Sequence, residues 1–321
     1  MPDTPRTYRF GDYTIAERLG EGGMCLVFRA RKDGATADVA LKLLRSELEQ
    51  DPRIRDLFVT EADLSLLVDH PNLIRTCDAG EVEGRLYIAM DLVEGASLAD
   101  LSERLANLGI VFPPDLAIFA VDQLLRGLGA LHDAKSPSGK LLGLVHRDVT
   151  PHNVFVDFTG RVILGDLGIT HISAHGRTEP GRAAGKIDYL APEVVLGETP
   201  ELQSDLYAVG IILFELLVGE RPLSYPDDAS DQLILEAIAQ GKLKRPRKLR
   251  PSIPKDLEEL LLDVLSRLPT QRPASALEVC SRLAPWLSPV LANPRILAGM
   301  LAGAFPERAV KFAQSQPPTH G

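Results

Sequence analysis

Cysteine is scarce in this chain of 321 residues: only Cys25, Cys77 and Cys280 are present, and no two of them stand in a C-x-x-C spacing. Neither a disulfide framework nor a zinc site is indicated, and a reducing, cytoplasmic environment fits this cysteine content best. Positive charge is also in deficit, because 35 lysines and arginines face 44 acidic residues. We therefore expect neither nucleic acid nor an anionic membrane surface to be the main partner.

Long apolar runs are missing as well. The nearest candidate for a membrane span, residues 290–305, is short and interrupted by Pro294 and Arg295, so we expect an amphipathic or buried helix there. Residues 1–10 lack the apolar core of a signal peptide. Apolar residues nevertheless make up 45% of the chain, which is enough to bury a substantial core in one large or two modest domains.

A stretch of polar residues that suggests catalysis begins at residue 146. Residues 146–153 read His-Arg-Asp-Val-Thr-Pro-His-Asn, and a predicted hairpin leads from them to Asp166. This spacing lets one loop present the carboxylate of Asp148 and the amide oxygen of Asn153, while Asp166 brings a second carboxylate. A carboxylate that faces a hydroxyl, with two oxygen ligands for Mg²⁺, suits phosphoryl transfer, in which the protein mainly positions groups and neutralises charge.

A glycine-rich turn lies near the start of the chain, between predicted strands at residues 13–19 and 26–30. Gly20-Glu21-Gly22-Gly23 carries few side chains, so backbone N–H groups can approach phosphate oxygens closely. No G-K-[ST] follows, which excludes a Walker-type loop. A third predicted strand, residues 38–44, carries Lys42 in the order Val-Ala-Leu-Lys.

A lysine inside a cleft needs an acidic partner if it is to stay charged. A helix predicted at residues 52–68, which has Asp51 as N-cap and Pro52 in its first turn, offers Glu61 to Lys42. The other predicted elements are strands at residues 73–79, 85–90, 154–156 and 161–164 and helices at residues 97–105, 115–132, 204–218, 232–240, 255–267 and 274–286.

As a set, the motifs G-E-G-G-M, H-R-D-V-T-P-H-N and S-D-L-Y-A-V-G resemble those of bacterial eukaryotic-like Ser/Thr protein kinases over about residues 13–287. The resemblance implies an α+β, bilobal protein-kinase fold. A small antiparallel β lobe with one helix, residues 13–93, would be hinged to a larger, mainly helical lobe, residues 94–287, with ATP between them. Residues 1–12 are expected to form an N-terminal arm, and residues 288–321 a tail that is partly helical and then disordered.

The resemblance also implies roles for single residues. Lys42 would orient the phosphates, Glu61 would orient Lys42, Asn153 and Asp166 would hold Mg²⁺, and Asp148 would accept the proton of the substrate hydroxyl. Further contacts with ATP are expected from Gly20, Glu21, Gly22, Gly23, Val27, Ala40, Met90, Asp91, Val93 and Phe155. The implied activity is transfer of the ATP γ-phosphoryl group to Ser and Thr hydroxyls of proteins.

Three departures from the motifs of that family bear on the chemistry. Cys25 stands where a third glycine is usual, which places a thiol on the turn that covers the phosphates. We expect it to be a tolerated small residue; the alternative hypothesis is that its oxidation or alkylation blocks closure over the nucleotide. Thr150 and Lys186 stand where the family has a lysine and a threonine, so the two residue types have changed places. We expect Lys186 to supply the cation beside the γ-phosphate and Thr150 to supply the hydroxyl.

Residues 169–185 are predicted to be a polar activation segment. Its hydroxyls at Thr170, Ser173 and Thr178 are candidate sites of autophosphorylation, because a phosphate there could bind Arg147.

Two structural contacts are also implied by the resemblance. Asp205 is expected to tie down the backbone of loop 146–153, and Arg272 is expected to pair with Glu193.

Three other functions stay open. A pseudokinase, which would be a binding module on the same fold, is kept open by Cys25 and Thr150. A small-molecule kinase of the aminoglycoside or choline type shares the D-x-x-x-x-N arrangement but usually lacks the A-P-E and S-D-x-Y-A-x-G elements present here. A purely structural or adaptor protein would leave the whole set of motifs unexplained.

Overall fold

The computed structural model describes residues 8–167 and 187–315. Within that part of the chain, two compact units form. The first unit comprises residues 8–70, 74–93 and 167, and the second comprises residues 71–73, 94–166 and 187–315. Residues 93 and 94 fall in different units.

The first unit is built on an antiparallel sheet with the strand order β1-β2-β3-β4-β6-β5. Its strands are β1 (Tyr8–Phe10), β2 (Tyr13–Glu21), β3 (Cys25–Lys32), β4 (Asp38–Leu44), β5 (Thr76–Val82) and β6 (Arg85–Asp91). The prediction that residues 1–12 form an arm outside the sheet is wrong for residues 8–10, because β1 pairs with β2. The ring of Phe10 also packs edge-on against Tyr87, which gives this short strand an apolar anchor.

Helix α1 (Pro52–Ser65) lies against this sheet. The side chain of Asp51 accepts a hydrogen bond from the backbone N–H of Arg53 at 2.9 Å, which confirms the predicted N-cap. On its inner face the buried Phe58 packs in one apolar cluster with Leu44 and Ile88. The helix ends at Ser65, three residues earlier than predicted.

The second unit is mainly helical and contains a small sheet of the order β7-β8-β9. Its elements are β7 (Gly95–Ser97), α2 (Leu98–Asn107), α3 (Pro114–His132), β8 (Val154–Asp157), β9 (Val162–Leu164), α4 (Pro192–Val195), α5 (Leu202–Val218), α6 (Asp231–Gln240), α7 (Pro246–Leu249), α8 (Lys255–Val264), α9 (Ala276–Leu283), α10 (Pro294–Ala304) and α11 (Pro306–Ser315). Helix α5 is buried on almost every face and packs against α3 and α8, so it is the central element of this unit.

The last two helices continue the second unit beyond the predicted domain end at residue 287. Helix α10 packs against α2 and β8, with Leu297 and Leu301 fully buried. The ring of Phe312 on α11 lies 5.4 Å from that of Phe158, between centroids. The predicted helical part of the tail is therefore confirmed.

None of the helices that the structure describes combines the length and the hydropathy needed to cross a bilayer.

Candidate functional site

In the first unit, Lys42 on β4 and Glu61 on α1 form a buried ion pair. Lys42 Nζ lies 2.6 Å from Glu61 Oε1, and the two residues are only 6% and 3% exposed. Glu61 Oε2 has no hydrogen-bond partner among the residues described. Removing two charges from water is costly, so this pair is poor evidence for stability and good evidence for a site that requires a held cation.

The glycine-rich turn joins β2 to β3. The backbone N–H of Gly22 donates to the carbonyl of Cys25 at 2.8 Å and closes the turn. Arg45 binds the turn from outside: its Nε donates to the Gly22 carbonyl at 3.0 Å, and its guanidinium pairs with Glu21. The carboxylate of Glu21 also pairs with Arg18, so only the backbone of Glu21 is suited to a phosphate. Sequence reasoning missed Arg45, which no motif marks.

Cys25 does not lie on this turn. It is the first residue of β3, it is 6% exposed, and it packs with Phe58 and Met90 in the apolar cluster beneath the sheet. The prediction of a thiol over the phosphates is thus wrong. Burial in apolar surroundings makes a cysteine inert, so Cys25 acts as a small core residue.

The other predicted ATP contacts of the first unit lie on its strands or just after them. Gly20 pairs with Val27, and Val27 pairs with Lys42 across β3 and β4. Ala40 and Met90 are buried neighbours on β4 and β6. Two further predicted contacts, Asp91 and Val93, are half-buried at the end of β6 and just beyond it.

Asp91 is already engaged within the first unit. Its carboxylate accepts hydrogen bonds of 3.0 and 3.2 Å from Arg75, and its backbone N–H donates to the Arg75 carbonyl at 2.9 Å. An adenine could therefore use the carbonyl of this residue but not its N–H.

In the second unit, Asn153 holds Asp148. The amide nitrogen Nδ2 of Asn153 donates to the backbone carbonyl of Asp148 at 2.9 Å and to its Oδ2 at 2.7 Å. Because the nitrogen is committed in this way, the amide oxygen of Asn153 is directed elsewhere and is available to a cation.

Asp205, at the start of α5, fixes the backbone of the loop. Its carboxylate accepts the N–H groups of His146 at 2.7 Å and Arg147 at 2.8 Å, which confirms the predicted role. His132, the last residue of α3, binds the same carboxylate through Nε2 at 2.9 Å. Sequence reasoning missed His132, which no motif marks.

His146 links the loop to the strand that precedes Asp166. Complete burial lowers the pKa of its imidazole, so the ring is neutral at pH 7. In that state Nε2 donates to the Gly165 carbonyl at 2.9 Å, and Nδ1 accepts from the N–H of Asp148 at 3.3 Å. Gly165 in turn donates its N–H to the Asn153 carbonyl at 2.8 Å. One small network thus brings together Asp148 and Asn153, the predicted base and one predicted metal ligand, and links them to Gly165, the residue before Asp166.

Two residues in this network have a strained backbone. Arg147 has φ 69° and Asp166 has φ 43°; Glu83 is the other non-glycine residue with positive φ in the described part of the chain. Strain of this kind costs about 1–3 kcal/mol per residue and persists at functional sites, where surrounding contacts enforce it.

Two buried side-chain atoms beside the loop have no hydrogen-bond partner within residues 8–167 and 187–315. They are Oγ1 of Thr150, a residue only 2% exposed, and Nε of Arg147. Phe155, the predicted ATP contact on β8, lies against Gly165, whose added Cβ would approach the ring to 2.9 Å. The predicted residues Lys186, Thr170, Ser173 and Thr178 lie outside the described residues.

The sequence matches the protein kinase domain family over residues 13–286. This chain belongs to that family. The match spans both units of this kinase chain and stops before α10.

Two curated relatives of this kinase chain illustrate the similarity to bacterial protein kinases. It is 31% identical to the tyrosine-protein kinase MasK of Myxococcus xanthus (strain DK1622), over 94% of this chain and 46% of MasK. It is 31% identical to the serine/threonine-protein kinase PrkC of Bacillus subtilis (strain 168), over 82% of this chain and 38% of PrkC. The chain spans about half or less of the length of these curated relatives. The resemblance to bacterial Ser/Thr protein kinases is confirmed.

The fold of this kinase chain is that of solved kinase domains. The crystal structure of the Mycobacterium tuberculosis PknI kinase domain superposes with a TM-score of 0.63 at 25% identity, covering 87% of this chain and 97% of PknI. The predicted α+β protein-kinase fold, with an antiparallel β unit and a larger helical unit, is confirmed.

Proposed function

We propose that this chain is a cytoplasmic signalling enzyme that uses ATP and Mg²⁺ to phosphorylate Ser and Thr hydroxyls of proteins. The observation that carries the proposal is the grip of Asn153 on Asp148, through bonds of 2.7 and 2.9 Å. It holds one carboxylate oriented towards a reactant and turns an amide oxygen towards a cation. A fold that serves only for binding needs neither.

The chemistry of the donor set fits magnesium. Asp166 supplies a carboxylate and Asn153 an amide oxygen, and Mg²⁺ prefers such hard oxygen ligands, together with waters and phosphate oxygens. The backbone N–H of Gly165 donates to the carbonyl of Asn153 at 2.8 Å, which keeps Asn153 next to the chain segment that carries Asp166. When bound, the metal neutralises charge on the phosphates.

In this proposal the first unit binds the nucleotide. Lys42, held by Glu61, binds the α- and β-phosphates, and the backbone of Gly22 and Gly23 covers them. Because the Lys42–Glu61 pair is buried, the ammonium group of Lys42 is held in one position. Apolar contacts with the adenine come from Val27, Ala40, Met90, Val93 and Phe155, and Asp91 offers its backbone carbonyl.

The chemical step then needs little covalent work from the protein. The hydroxyl oxygen of the substrate attacks the γ-phosphorus, its proton passes to Asp148, and the bond to the leaving ADP breaks. The buried, unpartnered Oγ1 of Thr150 supports a role beside the γ-phosphate, where we place Lys186 as the cation.

Names of relatives support Ser and Thr as acceptors. PrkC and PknJ are named serine/threonine-protein kinases, whereas MasK is named a tyrosine-protein kinase. The acceptor therefore has to be tested directly. A cytoplasmic location is supported by the supply of ATP there and by Cys25, Cys77 and Cys280, none of which forms a disulfide bond.

Autophosphorylation is part of the proposal. Thr178 is the favoured site, because Arg177 and Arg182 are near it in the sequence and Arg147 has an unpartnered buried Nε. Mass spectrometry after incubation with ATP should find phosphate between residues 170 and 185. Its complete absence there would contradict this part of the proposal.

The test uses purified protein, labelled ATP, Mg²⁺ and three peptide libraries with a central Ser, Thr or Tyr. We expect transfer to Ser and Thr, loss of transfer on chelation of the metal, and no transfer by Asp148→Asn or Asp166→Ala. Asp256→Asn, a change at an exposed aspartate of α8, is the matched control. Equal turnover by wild type and Asp166→Ala would refute the proposal.

A pseudokinase remains the competing function. It predicts that ATP raises the melting temperature of the wild type while no peptide is labelled under any condition.

A further inference from the structure

A run of positive charge interrupts this acidic chain between α6 and α8. Residues 242–250, here named the basic segment, hold the six cations Lys242, Lys244, Arg245, Arg247, Lys248 and Arg250. No acidic residue occurs between Glu236 and Asp256. The chain as a whole has a formal net charge of −9, so this segment opposes the average field of the molecule.

Most of these cations have no carboxylate partner among the residues described. Lys242, Arg245 and Lys248 are exposed and make no ion pair there. The side chains of Arg247 and Arg250 donate to backbone carbonyls, those of Ile253 at 3.1 Å and Leu217 at 2.5 Å. A neutral carbonyl does not cancel their charge. Lys244 is the exception, because it pairs with Glu220 at 2.9 Å.

The acidic residues near the segment are engaged in contacts within the same unit, and one of them, Glu258, accepts the backbone N–H of Arg247 at 2.9 Å. A cavity of about 380 Å³ next to Lys244 is lined by Asp188, Glu215, Glu220, Arg221 and Asp227. Its carboxylates accept from partners of the same unit: Asp188 from Tyr225, Glu215 from Tyr189 at 2.7 Å, Glu220 from Lys244 and Asp227 from Arg221. The exposed side chains of Lys242, Arg245 and Lys248 therefore face solvent.

The segment is also held in a defined place. Leu243 forms a β-bridge with Leu223 and packs against a buried cluster that contains Ile187 and Ile238. The backbone N–H of Lys244 donates to the carbonyl of Pro222 at 2.8 Å. Ile187 directly follows Lys186, the residue that we place beside the γ-phosphate. The basic segment is thus held by the same apolar cluster as Ile187, the first described residue after Lys186.

We propose that the basic segment is a docking surface for an acidic stretch of the protein substrate, outside the residues that surround its phosphorylated hydroxyl. This inference rests on the proposed function. The side chain of Leu249, 41% exposed in the middle of the segment, offers an apolar contact among the cations. Carboxylates on a flexible peptide can reach several of these cations at once.

An acidic protein segment fits this surface better than a membrane or a nucleic acid. A net charge of −9 repels an extended polyanion over the whole molecule. A short peptide meets only the local field, because exposed charges are screened beyond about 8 Å at physiological ionic strength.

The test compares two fluorescein-labelled peptides that share a degenerate threonine-centred sequence and a Gly-Ser spacer and end in five glutamates or five glutamines. The run of glutamates or glutamines is placed at the N-terminus in one version of each peptide and at the C-terminus in another. We expect the glutamate peptide to bind about tenfold more tightly and to have a similarly lower KM, since each exposed pair adds little by itself. Raising the salt concentration should remove the difference.

Variants identify the surface. The double change Arg245→Glu with Lys248→Glu should abolish the preference for the glutamate peptide and leave kcat for the glutamine peptide unchanged. Lys140→Glu with Arg295→Glu makes the same change in charge at exposed positions elsewhere in the second unit and should keep the preference.

Each outcome supports or overturns the inference. Equal binding of the two peptides by wild type, or an unchanged preference in the Arg245/Lys248 variant, overturns the inference. So does tighter binding of phosphatidylserine vesicles or single-stranded DNA than of the glutamate peptide, if the same variant abolishes it. If the glutamate peptide binds selectively but no peptide is phosphorylated, the proposed function fails while the acidic-peptide site stands.

Discussion

Arg272 donates one hydrogen bond to each carboxylate oxygen of Glu193, both at 2.7 Å, and both residues are buried. Ser204 adds a third bond of 2.7 Å to the same carboxylate. Burial alone would raise the pKa of Glu193, but the bonds from Arg272 and Ser204 outweigh it and lower the pKa below its usual value. Three separate parts of the second unit are joined at this point.

We expect Arg272→Ala to reduce the free energy of unfolding by about 3–5 kcal/mol, because it leaves a buried carboxylate unpaired. Urea titrations measure this loss. Arg282→Ala removes a partly exposed pair with Asp263 and should cost less than about 1 kcal/mol. A loss for Arg272→Ala no larger than for Arg282→Ala would contradict the assigned role of the pair.

The same pair has a defined pH dependence. The pKa of Glu193 is lowered in the folded state, so its contribution is complete above the ordinary glutamate value of 4.5. It fades as the pH falls through the lower folded-state pKa. The difference in stability between wild type and Arg272→Ala should therefore be largest at neutral pH and should narrow as the pH falls towards and below 4.5, because a buried, unpaired Glu193 in the variant takes up a proton more readily than the paired one.

The contacts of Arg272 and Asp205 could be predicted because each stands in a motif of the protein-kinase family, and the resemblance to that family implies its partner. Arg45 and His132 could not be predicted in this way. Their partners, Glu21 and Asp205, lie 24 and 73 residues away and are reached only through tertiary packing. No local pattern marks one arginine or histidine among several for such a contact.

Two errors have a related cause. Strand β3 begins at Cys25, but the glycines that precede Cys25 hide the side-chain alternation at the start of the strand. The sequence pattern therefore places Cys25 on the turn. Strand β1 spans only Tyr8–Phe10, which is too short for a periodic signal. Pairing with β2 and packing on Tyr87 stabilise it, and both are properties of the folded chain.

The exchange of residue types at Thr150 and Lys186 gives a kinetic prediction. Lys186→Ala should lower kcat far more than it raises KM for ATP, because the cation acts on charge that develops in the transition state. The double change Thr150→Lys with Lys186→Thr should recover part of the loss. Steady-state assays at varied ATP measure both constants.

Lys140→Ala, a change at an exposed lysine of the second unit, is the control for this series and should leave both constants unchanged. A normal kcat in Lys186→Ala would rule the exchange out.

Glu215 gives a prediction about stability at neutral pH. Burial raises the pKa of its carboxyl to about 7, although a hydrogen bond from Tyr189 opposes the shift. The folded state therefore binds a proton that the unfolded state releases between about pH 4.5 and 7, and stability falls as the pH rises through this range.

Glu215→Gln should remove that dependence and keep an acceptor for Tyr189. Relative to wild type, the variant should gain on the order of 1–3 kcal/mol when the pH is raised from 5 to 8. Urea titrations at the two pH values measure the gain, with Glu198→Gln at an exposed site as control. An identical difference at both pH values would show that Glu215 does not titrate there.

Gly160 provides a test of the docking of α10. Its φ is +84°, and an added Cβ would lie 1.8 Å from the carbonyl oxygen of Pro294, at the start of that helix. Gly139 has nearly the same φ, +83°, but nothing within 4 Å of an added Cβ. Comparing alanine substitutions at Gly160 and Gly139 therefore separates the effect of backbone strain from the effect of the steric clash with Pro294.

Both Gly→Ala changes should cost stability through strain, but Gly160→Ala should cost about 1–3 kcal/mol more. Hydrogen exchange should also show faster opening of residues 294–304 in Gly160→Ala alone. Equal losses in the two variants would mean that the approach of α10 to Gly160 is not tight.

Helix α10 also determines where a recombinant fragment of this protein can end. The match to the kinase family stops at residue 286, which makes that position the obvious end for a recombinant fragment. Such a fragment would lack α10, whose Leu297 and Leu301 are fully buried, and would leave apolar faces of α2 and β8 bare to water. Low solubility of that fragment would then reflect a misplaced boundary, and an expression plasmid should run at least to the codon for Ser315.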